Sequence, residues 1–310
     1  MQGNVAVGVD GSPAGFAAAH WAAHEAVHRG TGLDVVHAWH PQARPASGAV
    51  SAGTGRDAAE QALRAAVHSV RAAYPGLPVT EQLVQQAPVT ALVTAAARSE
   101  LLVLGSLGLG RVSGFVTGSV SQRVVARAAR PVVLVRAGRG AADEHLPATD
   151  GVAPEEIART PYRSVVLGLD LGHPCDELIA FAFDAAGRRS TGLHVVHTFR
   201  MPQQPSFDSS TVMAPAVPPV PVASPEALAS VEHAVVAALR PWCEKYPDVR
   251  VTETVTTGRA APALVWAARE AGLLVVGRRT VGSGPGAHAG PVTHAVLHHV
   301  ACPVAVVPHD

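Results

Sequence analysis

The segment from Gly105 to Ser121, GSLGLGRVSGFVTGSVS, follows the apolar run LLVL, holds no acidic residue and leads through Gln122 into a helix-forming stretch. Glycine accepts positive φ and lets a ligand approach the backbone closely. Gly118-Ser119, just before a helix, offers unpaired N–H groups and a hydroxyl to an anion. The chemistry this allows is a phosphate cradle built without lysine. Lys245 is the only lysine in the chain, which excludes a P-loop GxxxxGK[ST] and a lysine Schiff base near the glycines. Asp10, at the tip of the first apolar run, VGVDG, is a carboxylate able to accept hydrogen bonds from a ribose or a base. Each feature also has a purely structural explanation, a turn for the glycines and a helix cap for Asp10 ahead of Pro13. Their convergence on one sheet edge favours nucleotide binding.

Other residues have the spacing of chemistry without its context. His24-Glu25-Ala26-Val27-His28 is a literal HExxH, with His24 and His28 on one helix face at zinc-ligand spacing. A metallopeptidase also needs a third ligand and a cleft, and this helix is a crossover away from the strand tips. His294, His298 and His299 invite a metal reading, but without a carboxylate or cysteine partner they read first as partly buried or solvated helix residues, and no metal site is assigned. His37 and His197 repeat at equivalent places, which suggests packing or hydrogen bonding first and pH sensing second. There is no GxSxG elbow and no spacing that marks a triad. Catalysis is supported only as far as slow hydrolysis of a bound nucleotide.

The elements that must position these residues occur twice. Asp10 and Asp170 stand 160 residues apart, as do His37 and His197, while Tyr74 and Tyr246, Gly105 and Gly277, and Pro131 and Pro303 stand 172 apart. The second copy therefore carries about twelve extra residues, placed in the Pro- and Ser-rich stretch at about 201–226 and read as a surface excursion. In the first copy, strands are expected at Val5 to Val9, Leu33 to Ala38, Val79 to Val84, Leu101 to Leu104 and Val132 to Val135. Helices are expected at Ala14 to His28, Arg56 to Ala73, Val89 to Arg98 and Val120 to Ala128. Runs such as LLVLG and PVVLV are apolar throughout, as strands buried on both faces of a parallel sheet must be. The fold class is therefore α/β, with two tandem doubly wound domains, each a five-stranded parallel sheet flanked by helices, and ligands at the carboxyl ends of the strands. The domains are read as 1–137 and 162–310, joined by a linker at 138–161.

Composition narrows the partners. The 310 residues carry 24 basic and 24 acidic side chains, a net charge of +0, so the positive field that drives nucleic-acid binding is missing. Cys175, Cys243 and Cys302 are scattered, without CxxC spacing, which fits a reducing, cytoplasmic setting. Nothing approaches the ~18 to 20 apolar residues of a membrane span, and the N-terminus has no leader pattern.

Gly105-x2-Gly108-x9-Gly118-Ser119, between LLVLGS and SVSQRVV, resembles the nucleotide signature of universal stress protein (UspA-like) domains, and VGVDGS at Val7 to Ser12 resembles their first strand. The resemblance covers nearly the whole chain as two modules of the adenine nucleotide alpha hydrolase-like fold. It implies ATP as ligand, with Mg²⁺ as a companion left open, and a sensor or regulator role in stress adaptation. Carried over, Gly8, Val9 and Asp10 meet the adenosine and Ala38 the adenine. Leu104 and Gly105 pack near base and ribose, Leu107 lines the site, and Gly108, Gly118, Ser119, Val120 and Ser121 hold the phosphates. In the second copy Asp170, Gly277 and Gly290 persist as a weak second site, but Thr280 replaces the second glycine and Pro291 the serine, which removes a hydroxyl and an N–H. The last strands resemble those through which such domains dimerise, so the copies are expected to pair within one chain, with a further homodimer and any regulatory protein partner left open. The alternatives are a slow ATPase or nucleotidyl-transfer enzyme, which would need carboxylates near the phosphates, and a nucleotide-free interaction module.

Overall fold

The computed structural model describes residues 3–40, 52–106, 118–138, 141–146, 160–173, 175–200, 224–280 and 289–310. The first half runs β1 (Val5–Gly8), α1 (Pro13–Arg29), β2 (Leu33–Trp39), α2 (Ala52–Ala73), β3 (Val79–Gln85), α3 (Pro88–Ala97), β4 (Leu101–Ser106), α4 (Ser119–Arg127) and β5 (Val132–Arg136). After a short α5 (Ala141–Glu144), the second half repeats the order as β6 (Val165–Gly168), α6 (Asp176–Arg188), β7 (Leu193–Phe199), α7 (Pro225–Lys245), β8 (Val251–Thr257), α8 (Ala260–Ala267), β9 (Leu273–Arg279), α9 (Pro291–His299) and β10 (Val304–His309). Within each half all strand pairings are parallel, in the order β3-β2-β1-β4-β5 and its counterpart. The halves join where β5 pairs antiparallel with β10, Val133 opposite Ala305, so the two five-stranded sheets become one sheet of ten.

Sequence dictates the layers. The central strands β1 and β4 are buried almost throughout, as continuous apolar runs require, whereas β3 and β8 at the two edges carry Thr, Glu and Gln and are largely exposed. One face of the sheet packs α1, α2, α6 and α7, and the other packs α3, α4, α8 and α9, each around a core that runs through both halves. Helix α1 starts where Ser12 accepts a hydrogen bond from the Gly15 N–H with Pro13 at its first position, and it stops at Gly30, left-handed at φ 63°. Its buried face holds Gly15, Trp21 and Glu25 but is mostly alanine, Ala14, Ala18, Ala19, Ala22, Ala23 and Ala26. Side chains this small let the helix lie close on β4.

Two stretches read as irregular in sequence contain order. Ser224 caps α7, so Pro225 and Glu226 open a helix, and residues 201–223 of the proline-rich stretch lie outside the described residues. Between the halves, His145 bridges to Tyr162, and the N–H groups of Arg163 and Leu146 donate to Glu144 and Pro161.

Candidate functional site

Register brings the first-half residues to one edge. Gly8 at the end of β1 lies opposite Val36 of β2 and Leu104 of β4, so Val9, Asp10, Ala38 and Gly105 follow at the same carboxyl edge. The Val9 N–H donates to the Val36 carbonyl, continuing the strand one residue further. Asp10 is exposed and accepts from the Ser12 N–H at 3.0 Å and from the Ser12 hydroxyl, while Ser12 itself caps α1. The helix cap foreseen for Asp10 thus belongs to Ser12, with Asp10 holding the capping residue. Gly105 sits directly on α1: a Cβ there would lie 2.5 Å from the carbonyl carbon of Ala14.

Helix α4 begins at this edge with Gly118 as its N-cap residue and no side-chain cap. The first backbone donor to find an intrahelical acceptor is Gln122, bonded to the Gly118 carbonyl, and the N–H groups of Ser119, Val120 and Ser121 have no acceptor among the described residues. The Ser121 hydroxyl donates to the Gly105 carbonyl at 3.2 Å and ties the helix start to the end of β4. Gly118 has φ −57°, which any residue adopts, and a Cβ on it would meet no described atom within 4 Å. Neither backbone nor packing among the described residues calls for a glycine there. Leu107 and Gly108 lie outside the described residues.

The second half repeats the frame and changes the chemistry. Thr293 takes the place of Ser121, and its hydroxyl bonds the Gly277 carbonyl at 3.1 Å. Asp170 accepts from the Gly172 N–H and meets the His173 imidazole at 3.3 Å. Gly290 has φ 82°, and Pro291 occupies the first position of α9. The Thr280 N–H donates to the His309 carbonyl. A cleft of ≈ 700 Å³ opens here, reaching Asp170, Gly277 and Gly290 together with several arginines. His197 Nδ1 donates to the Leu169 carbonyl at 2.9 Å, whereas the equivalent His37 nitrogen is buried without a described partner.

The HExxH residues lie instead on the seam between the halves. The Tyr162 hydroxyl bridges His24 Nε2 at 2.9 Å and His28 Nε2 at 3.0 Å. Glu25, buried, takes Arg29 Nε at 2.7 Å on one oxygen and Arg189 Nη2 at 2.7 Å on the other. Burial alone would raise the Glu25 carboxyl, but the two arginines hold it down at about 2. Burial, reinforced by His28 and Arg189, lowers His24 to about 4 and favours its neutral form. Among the described residues no group of three or more His, Cys, Asp or Glu side chains is arranged to hold a metal. On the other face of the seam, Arg136 donates to the carbonyls of Val300 and Leu297, and Arg278 to that of Ala128.

Glu144 lies in the same seam, and burial pushes its carboxyl up to about 7, with Arg189 opposing and Glu25 reinforcing. A carboxyl whose folded value is raised stabilises the fold fully below its ordinary value near 4.5 and loses that contribution as pH rises through 7. Relative to Glu144→Gln, the wild-type unfolding free energy is expected to fall by about 3 kcal/mol from acid to above neutral pH. Denaturant melts of both proteins across that range test this, and a pH-independent difference would refute it.

A duplicated α/β protein with glycines at the carboxyl ends of its strands is the class that fold and site define. The universal stress protein family model matches residues 1–136 and 161–308, and the chain belongs to that family. It is 34% identical over 317 residues to universal stress protein Rv2005c of Mycobacterium tuberculosis, covering 98% of this chain and 97% of that one. Universal stress protein Rv1996 of the same organism is 30% identical over 333 residues, covering 99% and 96%. The crystal structure of a universal stress protein from Archaeoglobus fulgidus covers 100% of both chains with a TM-score of 0.67 at 14% identity, which speaks to the fold alone. Among the described residues no helix is long and apolar enough to cross a membrane.

Proposed function

We propose that the first half, read as a domain spanning 1–137, binds one adenine nucleotide, ATP, and that the protein is a cytoplasmic, nucleotide-dependent regulator in stress adaptation. The observation that carries this reading is the start of α4, where three N–H groups with no acceptor among the described residues stand behind a glycine that neither φ nor packing among those residues requires. Gly8, Val9, Asp10 and Ala38 would face the adenosine, and Leu104 and Gly105 the base and ribose. The phosphates would lie against the N–H groups of Ser119, Val120 and Ser121 and the hydroxyl of Ser119, since the Ser121 hydroxyl is engaged by Gly105. Leu107 and Gly108 keep their proposed places beside the phosphates. Mg²⁺ would travel with the phosphates, because the segment from Gly105 to Ser121 supplies no carboxylate. The same lack disfavours rapid turnover.

Calorimetry with ATP at about 0.3 M salt, where exposed charges are screened within roughly 6 Å, is expected to show one site per chain. Gly118→Val with Ser119→Ala places a branched side chain in the open space and removes the hydroxyl, so the affinity should fall by about tenfold or more. Unchanged stoichiometry and affinity would sink the proposal.

A further inference from the structure

The sheet ends in two open edges, β3 and β8, and they are not guarded alike. An edge strand presents unpaired N–H and C=O groups to any other strand, and proteins keep such edges single with charge or with cover. The Leu33 N–H donates to the Pro78 carbonyl, and residues of a parallel strand turn alternately to its two sides, so Val79, Glu81, Leu83 and Gln85 point their N–H and C=O groups outward. There Arg71 of α2 donates to the Val79 carbonyl at 3.1 Å and pairs with Glu81 at 3.0 Å. Arg64, seven residues earlier on the same flank of α2, pairs with Glu60 at 2.9 Å. The outer side of β3 is thus charged and partly occupied.

β8 lacks this guard. Val236 and Cys243 of α7 stand 172 positions after Arg64 and Arg71. Burial pushes the Cys243 thiol up and the Glu253 carboxylate adds to it, which places this flank of α7 beside β8. Val236, two turns before Cys243 on that flank, is 48% exposed. In β8 itself, VTETVTT, every residue but Glu253 is β-branched and none is Lys, Arg or Pro. Because the Leu193 N–H donates to the Arg250 carbonyl and the Gly258 N–H to that of Phe199, Val251, Glu253, Val255 and Thr257 are the residues that turn outward. No strand pairs with them among the described residues.

We infer that β8 pairs with β8 of a second copy of this chain, antiparallel about a two-fold axis, so that the sheet continues from one molecule into the next. The chain already joins its own halves in this way, β5 to β10, with α1, α2, α6 and α7 kept on a common face. The edge is also self-complementary. With the axis at Thr254, Val251 lies opposite Thr257 of the second copy and Glu253 opposite Val255, so every outward N–H and C=O finds a partner. Thr254 meets its own counterpart, Thr252 meets Thr256, and no carboxylate faces another. Val236 of each copy flanks the joint on the α7 face, where an arginine would hold the two molecules apart. One strand and one helix flank make a joint smaller than the about 1,600 Å² of a standard interface, so pairing in the micromolar range is expected. The inference does not rest on nucleotide binding by the first half.

Sedimentation equilibrium of the full chain under reducing conditions, from about 1 to 100 μM, is expected to show the mass rising from one chain to two. Over the same range, hydrogen exchange at the amides of Glu253, Val255 and Thr257 should slow by about tenfold or more, while the amides of Glu81, Leu83 and Gln85 stay as they were. Val236→Arg with Cys243→Arg restores the residues of the first half and should raise the dissociation constant by about tenfold or more. Glu253→Pro, which removes one outward donor and none of those bonded to β7, should do the same. Thermal midpoints at about 1 μM, where the chain is single, separate loss of pairing from loss of fold. A wild-type chain that stays single at about 100 μM, because a strand of another protein or another segment of this chain holds the edge, overturns the assignment. So does a dimer that either folded variant retains, or exchange at β8 that ignores concentration.

Discussion

Glu25→Gln is expected to lower the unfolding free energy by about 3–5 kcal/mol, the usual cost of removing one partner from a buried ion pair. The Arg189 and Glu25 side chains are 2% and 1% exposed and 2.7 Å apart, and they come from the C-cap of α6 and from α1, one in each half. Glutamine keeps the shape of the side chain and removes the charge, which leaves the Arg189 guanidinium buried without its carboxylate. Arg29 is less affected, because it also reaches Glu100 at 3.2 Å and Asp184 at 3.5 Å. The double variant Glu25→Leu with Arg189→Met takes both charges out together and should recover about half of the loss or more. Denaturant midpoints of the three proteins check this. Equal losses in the single and double variants would show that packing, not the uncompensated charge, sets the cost. The sign with pH follows from the depressed value of Glu25. Its contribution is complete above about 4.5 and disappears as pH falls toward 2, so wild type and Glu25→Gln should converge in acid.

What could be read from the sequence follows from where each interaction lives along the chain. β1 and β4 were legible because a strand buried on both faces has to be a continuous apolar run, and α1 because Pro13 marks its start, although the cap read as Asp10 is Ser12. The helix start at which a nucleotide is proposed to bind was legible for the same local reason, since Gly118 and Ser119 are neighbours there. The seam was not, because Tyr162 meets His24 and His28 across 138 and 134 residues, and no periodicity encodes that. HExxH has metal-ligand spacing without a third ligand or a cleft, and its residues instead make contacts between the halves. The short α5 and the bridge from His145 to Tyr162 were hidden for a different reason: their sequence is Gly/Ala/acid-rich like a connector, and their order depends on the seam they pack into. The arginines of the second cleft lie between positions 200 and 279 and converge only through the fold. Subtracting one copy from the other would have exposed them, because that comparison turns scattered residues into a difference at equivalent positions.

The same subtraction yields the second large effect, at the two glycines that end β4 and β9. A Cβ on Gly105 would stand 2.5 Å from the carbonyl carbon, 2.6 Å from the carbonyl oxygen of Ala14 and 2.9 Å from the Gly15 nitrogen. These are backbone atoms in the first turn of α1, and no rotamer relieves the clash. Gly105→Ala must therefore push α1 away from the sheet, at a cost of about 1–3 kcal/mol for an overpacked core. The displaced turn also carries Ser12 and, through it, Asp10, while the Gly105 carbonyl holds Ser121 at the start of α4. One methyl group thus disturbs both ends of the proposed nucleotide site, and ATP affinity should fall by about tenfold or more along with stability. At Gly277 a Cβ would approach the His309 ring at 2.6 Å and Leu178 at 3.3 Å, both side-chain atoms. The imidazole can swing aside, so Gly277→Ala should cost less than about 1 kcal/mol, within the range of ordinary substitutions. Melts of the two variants side by side, with and without ATP, measure the contrast. If Gly277→Ala proved the more damaging of the two, the close seat of α1 on β4 would not be what makes glycine necessary at the end of that strand.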